Sequence, residues 1–171
     1  MGNPELDKQL LAAAYANDVD AATRLIGEGA DVNAKDKSVQ SAYLIATSEV
    51  GDDPRLLELT LVNGADVRSL DSYNGTGLIR AADRGYTAIV ARLLETDIDV
   101  DHVNRLGWTA LLEAIILGGG DAAHTEVLRQ LVEAGVNVNL ADGEGKTPLA
   151  HAEAAGYAEM ATILRAAGAE R

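Results

Sequence analysis

The chain of 171 residues is acidic, contains no cysteine, and reaches 47% apolar content with no Phe and one Trp. Its 27 acidic side chains outnumber its 14 Lys and Arg side chains, and the resulting net charge of −13 disfavours nucleic acids and anionic membrane surfaces as partners. The absence of cysteine excludes disulfides, thiol catalysis and Cys-ligated zinc.

The first predicted element is a helix near the N-terminus, within the stretch ELDKQLLAAAYA. Acidic residues stand here where a secretory signal needs a basic region. No segment of the chain has the roughly 18 apolar residues that cross a bilayer. We therefore expect a cytoplasmic protein without a membrane partner, and an exported form whose leader was removed stays open.

Short related segments then recur along the chain. They read GADVNAKD from Gly29, GADVRSLD from Gly64, DIDVDHVN from Asp97 and GVNVNLAD from Gly135. The starting positions are 35, 33 and 38 residues apart, which indicates a base period with short insertions. An internal repeat of this length is typical of a solenoid.

Each recurring segment precedes a turn and two predicted helices. The first helices are SAYLIATSE, TGLIRAADRG, TALLEAIILG and TPLAHAEAAG, and their opening Ser41, Thr76, Thr109 and Thr147 have the side chains of N-cap residues. Pro148 follows its Thr at the first helical position, where a missing N–H costs nothing. The second helices carry an apolar face, as in TAIVARLLE, and most of them end before a glycine.

The segments GKTPLAHAEAAGYAEMATILRAAGA and LGWTALLEAIIL resemble the ankyrin repeat family, and the second is similar to bacterial members in particular. The resemblance implies an all-α solenoid of five stacked helix-turn-helix units with short β-turn fingers. We expect one domain over 1–171, with units at about 6–35, 36–71, 72–104, 105–142 and 143–171.

Some positions depart from the family pattern. Val39 and Asn74 stand where the finger usually has glycine, and an apolar residue or alanine replaces the histidine that usually follows T-P-L. The second unit contains a two-residue insertion, and we expect its structure to be distorted there.

The resemblance implies that a partner binds to variable positions on the concave side of the stack. Carried over to this sequence, those positions include Tyr73, Asp83, Arg84, Arg105, Leu106, Trp108 and Lys146. Tyr, Trp and Arg are the residue types that dominate binding hot spots. Trp108 could equally cover the neighbouring turn. The basic and aromatic character of this set suggests an acidic or mixed patch on the partner.

A second set of candidates occupies one equivalent position in three successive first helices. Its members are Arg80, Glu113 and His151. Stacking would bring Arg80 and Glu113 within reach of each other, and His151 could extend the row. The row could be a structural ladder of ion pairs, or a cleft that holds a small ligand or supplies an acid and a base.

The sequence thus predicts a non-enzymatic, monomeric module that binds an unidentified protein partner. The alternative is a small-ligand or hydrolytic site at Arg80, Glu113 and His151. We expect no cofactor, and no metal because the three histidines lack ligand spacing.

Overall fold

The computed structural model describes residues 2–171, which contain ten α-helices and no strand. The helices are α1 (Pro4–Tyr15), α2 (Val19–Gly27), α3 (Ala42–Ser48), α4 (Arg55–Val62), α5 (Gly77–Arg84), α6 (Thr87–Leu94), α7 (Ala110–Leu117), α8 (Ala122–Glu133), α9 (Pro148–Ala155) and α10 (Ala158–Ala166). The odd-numbered helices pack on one another in chain order, and each packs against the even-numbered helix that follows it. The predicted all-α solenoid is confirmed.

The hydroxyl groups of N-cap residues fix where four of the odd-numbered (inner) helices begin. The predicted N-caps accept hydrogen bonds from the amide three residues later, at 3.1 Å for Ser41, 3.2 Å for Thr76, 3.2 Å for Thr109 and 3.1 Å for Thr147. A shared starting point puts equivalent residues of successive helices on the same face. Arg80, Glu113 and His151 each lie four residues after such a cap, as the sequence suggests.

Small side chains allow the inner helices to approach closely. Each of α3, α5, α7 and α9 carries a fully buried alanine, at Ala46, Ala81, Ala114 and Ala152. Leucine and isoleucine fill the remaining space in one continuous core. The fingers and loops extend from this close-packed core.

Each finger closes around an Asp or Asn side chain. The Oδ1 atom accepts from the amides two and four residues later, in turns that begin at Asp36, Asp71, Asn104 and Asp142. Val39 and Asn74 have φ angles of 61° and 57°, as expected at a position that usually holds glycine. This backbone conformation is unusual for a β-branched residue, so the finger around Val39 is strained.

The loop between α3 and α4 connects the second unit to both neighbours. Asp52 accepts hydrogen bonds from Ala88 N at 3.1 Å and Ile89 N at 3.0 Å, at the start of α6. On the other side, Asn17 Nδ2 donates to Asp53 Oδ2 at 3.0 Å. These contacts hold three units together.

A histidine makes a similar connection between the third and fourth units. His124 is buried at the start of α8, and its Nε2 lies 2.6 Å from the backbone oxygen of Asp83 at the end of α5. A Cβ atom at Gly118 would lie 2.3 Å from His124 Cγ. Gly118 therefore has no room for a side chain, because the imidazole packs against it.

Gly77 faces a fully buried tyrosine in the preceding unit. The Tyr43 hydroxyl has no hydrogen-bond partner within residues 2–171, and burial raises the pKa of this group. A Cβ atom at Gly77 would lie 2.7 Å from Tyr43 Oη and 2.8 Å from Thr47 Cγ2. Because α3 and α5 pack directly on each other, Tyr43 and Thr47 cannot easily move away from an added side chain at Gly77.

We expect Gly77→Ala to lower the free energy of unfolding by about 2 kcal/mol, as overpacking in a core does. Tyr43→Phe should instead be neutral or raise stability by about 1 kcal/mol, because it removes a buried hydroxyl that lacks a partner. Urea denaturation of the two single variants and the double variant would measure both effects. In the double variant the loss should be smaller than the sum of the two single effects, because the Tyr43 hydroxyl that meets the added Cβ atom is gone. Strict additivity of the two changes would contradict the predicted clash.

Candidate concave pocket between the third and fourth units

A pocket of about 190 Å³ lies on the concave side, between α5, α7 and the two fingers that precede them. It brings together members of both predicted sets, namely Tyr73, Asp83 and Leu106 with Arg80 and Glu113. The other lining residues, which belong to neither predicted set, are Asp71, Gly75, Ile79, Asn104 and Leu117.

The three residues of the predicted row each bond to the Asp or Asn that opens the finger before their own helix. The contacts are Arg80 Nη1 to Asp71 Oδ2 at 3.1 Å, Asn104 Nδ2 to Glu113 Oε1 at 2.8 Å, and His151 Nε2 to Asp142 Oδ2 at 2.7 Å. In every case the two residues are nine apart in sequence. Arg80 and His151 each pair with an aspartate, whereas the Glu113 carboxyl pairs with the asparagine. Because each pair is nine residues apart, the sequence already contained the signal for these contacts.

Arg80 also clamps the second unit to the third. Its side chain is 9% exposed, and it donates to Thr47 Oγ1 at 3.1 Å, to Gln40 Oε1 at 3.0 Å and to the Leu44 oxygen at 3.2 Å. Glu49 Oε1 lies 3.6 Å from its Nη2. The expected ion pair between Arg80 and Glu113 is not formed, because the guanidinium is directed towards the second unit.

Glu113 is buried without a cationic partner. The residue is 5% exposed, and within residues 2–171 only Asn104 donates to its carboxyl group, through Oε1. Burial raises the pKa of Glu113 to about 7, with further increases from the nearby charges of Asp83 and Asp71. The hydrogen bond from Asn104 opposes this shift. Glu113 Oε2 is therefore an acceptor without a donor at the pocket.

The rim of the pocket is apolar and open to solvent. Tyr73 is 60% exposed, Leu106 54% and Leu117 49%. The Asp83 carboxylate, also part of the lining, makes no hydrogen bond or ion pair within residues 2–171. The pocket thus combines three exposed apolar side chains with two carboxyl groups that lack a cation.

The other predicted residues lie outside this lining. Arg84, Arg105 and Lys146 are exposed and form no ion pair within residues 2–171, and Trp108 is half-buried. His151 is not among the residues that line the pocket. The Arg105 amide donates to the Tyr73 oxygen at 2.9 Å, so the two fingers are directly connected.

The geometry also bears on metal binding and on membrane insertion. No group of three His, Asp or Glu side chains in residues 2–171 is arranged to hold a metal ion. None of the ten helices is both long and apolar enough to cross a membrane.

The protein-family model for ankyrin repeats (3 copies) matches residues 44–142, and the family model for a single ankyrin repeat matches residues 10–37. The chain is 39% identical to the ankyrin repeat protein YahD of Escherichia coli (strain K12), over 85% of this chain and 72% of YahD. It is 30% identical to the mitochondrial disaggregase of Bos taurus over 93% of this chain, but it spans only 22% of that protein.

A solved ankyrin repeat domain from Acinetobacter baumannii superimposes with a TM-score of 0.89 and is 47% identical, covering 94% of this chain and 81% of that one. Another solved ankyrin repeat protein has a TM-score of 0.84 and 33% identity, over 91% of this chain and 78% of that one. The similarity extends over sequence, repeat period and three-dimensional structure. The chain therefore belongs to the ankyrin repeat family.

Proposed function

We propose that this protein binds a partner protein through the concave face at the third and fourth units, with Tyr73 and Leu106 as the main contacts. Ankyrin repeats are generally protein–protein interaction modules and typically non-enzymatic scaffolds. The observation that carries the proposal is the group of exposed apolar side chains around an open pocket. Large apolar side chains beside a pocket are typical of interaction sites.

The fingers hold these contacts in place before a partner arrives. Asp71 and Asn104 close their turns by hydrogen bonds, and the Arg105 amide joins the two turns. Binding to a preorganised surface loses less conformational entropy. The exposed cations Arg84, Arg105 and Lys146 lie outside the pocket, where they could steer a partner that has acidic groups.

The alternative of a hydrolytic site has less support from the geometry. An acid–base mechanism at the predicted row would need its members in one cleft. Arg80 and Glu113 line the pocket, whereas His151, which lies in the fifth unit, bonds to Asp142. Arg80 is engaged by four groups of the second unit, which favours a structural role.

The proposal can be tested with a phage-displayed library of protein fragments from the source genome. Fragments that bind the immobilised protein would be purified, and their affinities measured by calorimetry. The double variant Tyr73→Ala with Leu106→Ala should weaken binding at least tenfold, about the effect of losing a hot spot.

Val62→Ala is the matched control, because Val62 is 67% exposed at the end of the outer helix α4. It should leave the affinity unchanged. Fragments that bind equally well to the double variant, or that lose affinity only with Val62→Ala, would contradict binding at the concave face.

A further inference from the structure

The chemistry of the pocket points to a specific kind of contact within the proposed interface. We propose that the pocket between α5 and α7 receives an arginine side chain of the partner, whose guanidinium lies between Glu113 and Asp83. This inference rests on the proposed function of the concave face and specifies what the partner must carry.

The pocket contains a buried carboxyl group that has no cationic partner in the described part of the chain. Glu113 is 5% exposed, and its Oε2 has no donor within residues 2–171. A carboxyl group buried in this way is stabilised by a cation that also donates hydrogen bonds. Asp83, on the facing helix, lines the same pocket and has no cation of its own. Two such groups suit a ligand with several donors.

Residues 2–171 do not supply this cation themselves. Arg80 lines the pocket, but its guanidinium bonds to Asp71 and to the second unit. On the other side of Glu113, helix α9 carries His151 and Glu153. His151 bonds to Asp142, and Glu153 pairs with Arg165 and Arg171. Within residues 2–171 no cation therefore pairs with Glu113, and a cation of the partner can take that place.

The pocket also has an apolar wall. Tyr73, Leu106 and Leu117 offer a surface for the aliphatic stem of a long side chain, while its charged end reaches the carboxyl groups. Arginine fits better than lysine because its planar fork carries five donors, can bond two carboxylates and can stack on the Tyr73 ring.

Room for such a side chain comes from the finger of the third unit. Gly75 lines the pocket at the position that Gln40, Trp108 and Lys146 occupy in the other fingers. A Cβ atom at Gly75 would already lie 3.1 Å from Asp71 Oδ2. The absence of a side chain here keeps this pocket open between the two fingers.

The test uses N-acetyl-L-arginine methylamide as a probe of the full chain, followed by NMR of the backbone amides. At about pH 8, increasing probe concentration should shift the resonances of Glu113, Leu117 and Gly75, with saturation in the millimolar range expected for so small a ligand. The neutral isostere N-acetyl-L-citrulline methylamide should cause no comparable shifts. The lysine analogue should bind more weakly than the arginine probe.

The affinity for the arginine probe should fall about tenfold between pH 8 and pH 6, because the ionised fraction of Glu113 falls by about that factor. Glu113→Gln and Asp83→Asn should each weaken binding at least severalfold, and Glu113→Gln should abolish the pH dependence. Glu133→Gln is the control for loss of one negative charge, since Glu133 is exposed on α8. It should bind like the unchanged protein.

Equal shifts with the citrulline probe, or full binding in both amide variants, would overturn the arginine pocket. This result is separate from the test of the proposed function. Genome fragments that bind through Tyr73 and Leu106 without any effect of the arginine probe would leave the interaction function and remove the pocket. A positive probe titration without any bound fragment would support the arginine pocket and contradict the proposed partner binding.

Discussion

Replacing Arg80 with methionine should lower the free energy of unfolding by about 3 to 5 kcal/mol, the usual result of removing one partner from a buried ion pair. The side chains of Arg80 and Asp71 are only 9% and 11% exposed. Methionine keeps apolar volume but leaves Asp71 without its cation, and it also removes the donor to Gln40 and Thr47. Urea denaturation at neutral pH would measure the loss.

Arg84→Met is the matched control, because Arg84 lies one turn further along α5 and is exposed without an ion pair within residues 2–171. Its effect should stay within about 0.5 kcal/mol. Arg80→Lys should be intermediate, since lysine keeps a charge near Asp71 but cannot make the forked set of bonds. Similar losses for Arg80→Met and Arg84→Met would show that the clamp contributes little.

Glu113→Gln should make the folded protein more stable at about pH 8 by about 3 kcal/mol, and should make little difference at about pH 4. Burial raises the pKa of Glu113 to about 7, from 4.5 in an exposed chain. The folded protein therefore binds this proton more tightly than the unfolded chain, and stability falls as the pH rises from about 4.5 to about 7. Below that range both states are protonated. Above it both are ionised, and the cost of the buried charge remains constant.

The measurement is the difference in unfolding free energy between the variant and the unchanged protein, at pH values from about 4 to about 8. Taking the difference removes the contributions of the other acidic residues, which both proteins share. Glutamine can still accept the hydrogen bond from Asn104, so the local packing is retained. Glu133→Gln should show no such trend, because that residue is exposed. A difference that does not change with pH would mean that Glu113 is not destabilised by burial.

Much of the fold could be predicted because its signals are local. Thr76, Thr109 and Thr147 begin helices wherever they follow a finger, since each hydroxyl needs only an amide three residues away. Repetition of that local pattern fixes the period, and the period fixes the stacking. The positive φ angles of Val39 and Asn74 were predictable for the same reason.

The candidate site was less predictable because it depends on the direction that long side chains take. The sequence places Arg80 and Glu113 at equivalent positions, but it does not show that Arg80 turns towards Gln40 and Thr47. Leu117 was missed because its equivalent in the third unit is Arg84, so the family pattern gives no reason to expect an apolar residue there. The pocket itself arises from two fingers together and is visible only once they are packed.

The bonds between neighbouring loops bear on how the stack opens. Asp53 joins the first two units, Asp52 joins the second to the third, and His124 joins the third to the fourth. In a linear array, strong coupling between neighbours makes the coupled units open together while weakly held ends fray. The proposed arginine pocket lies between two units that are joined in this way, so we expect it to open only together with its neighbours.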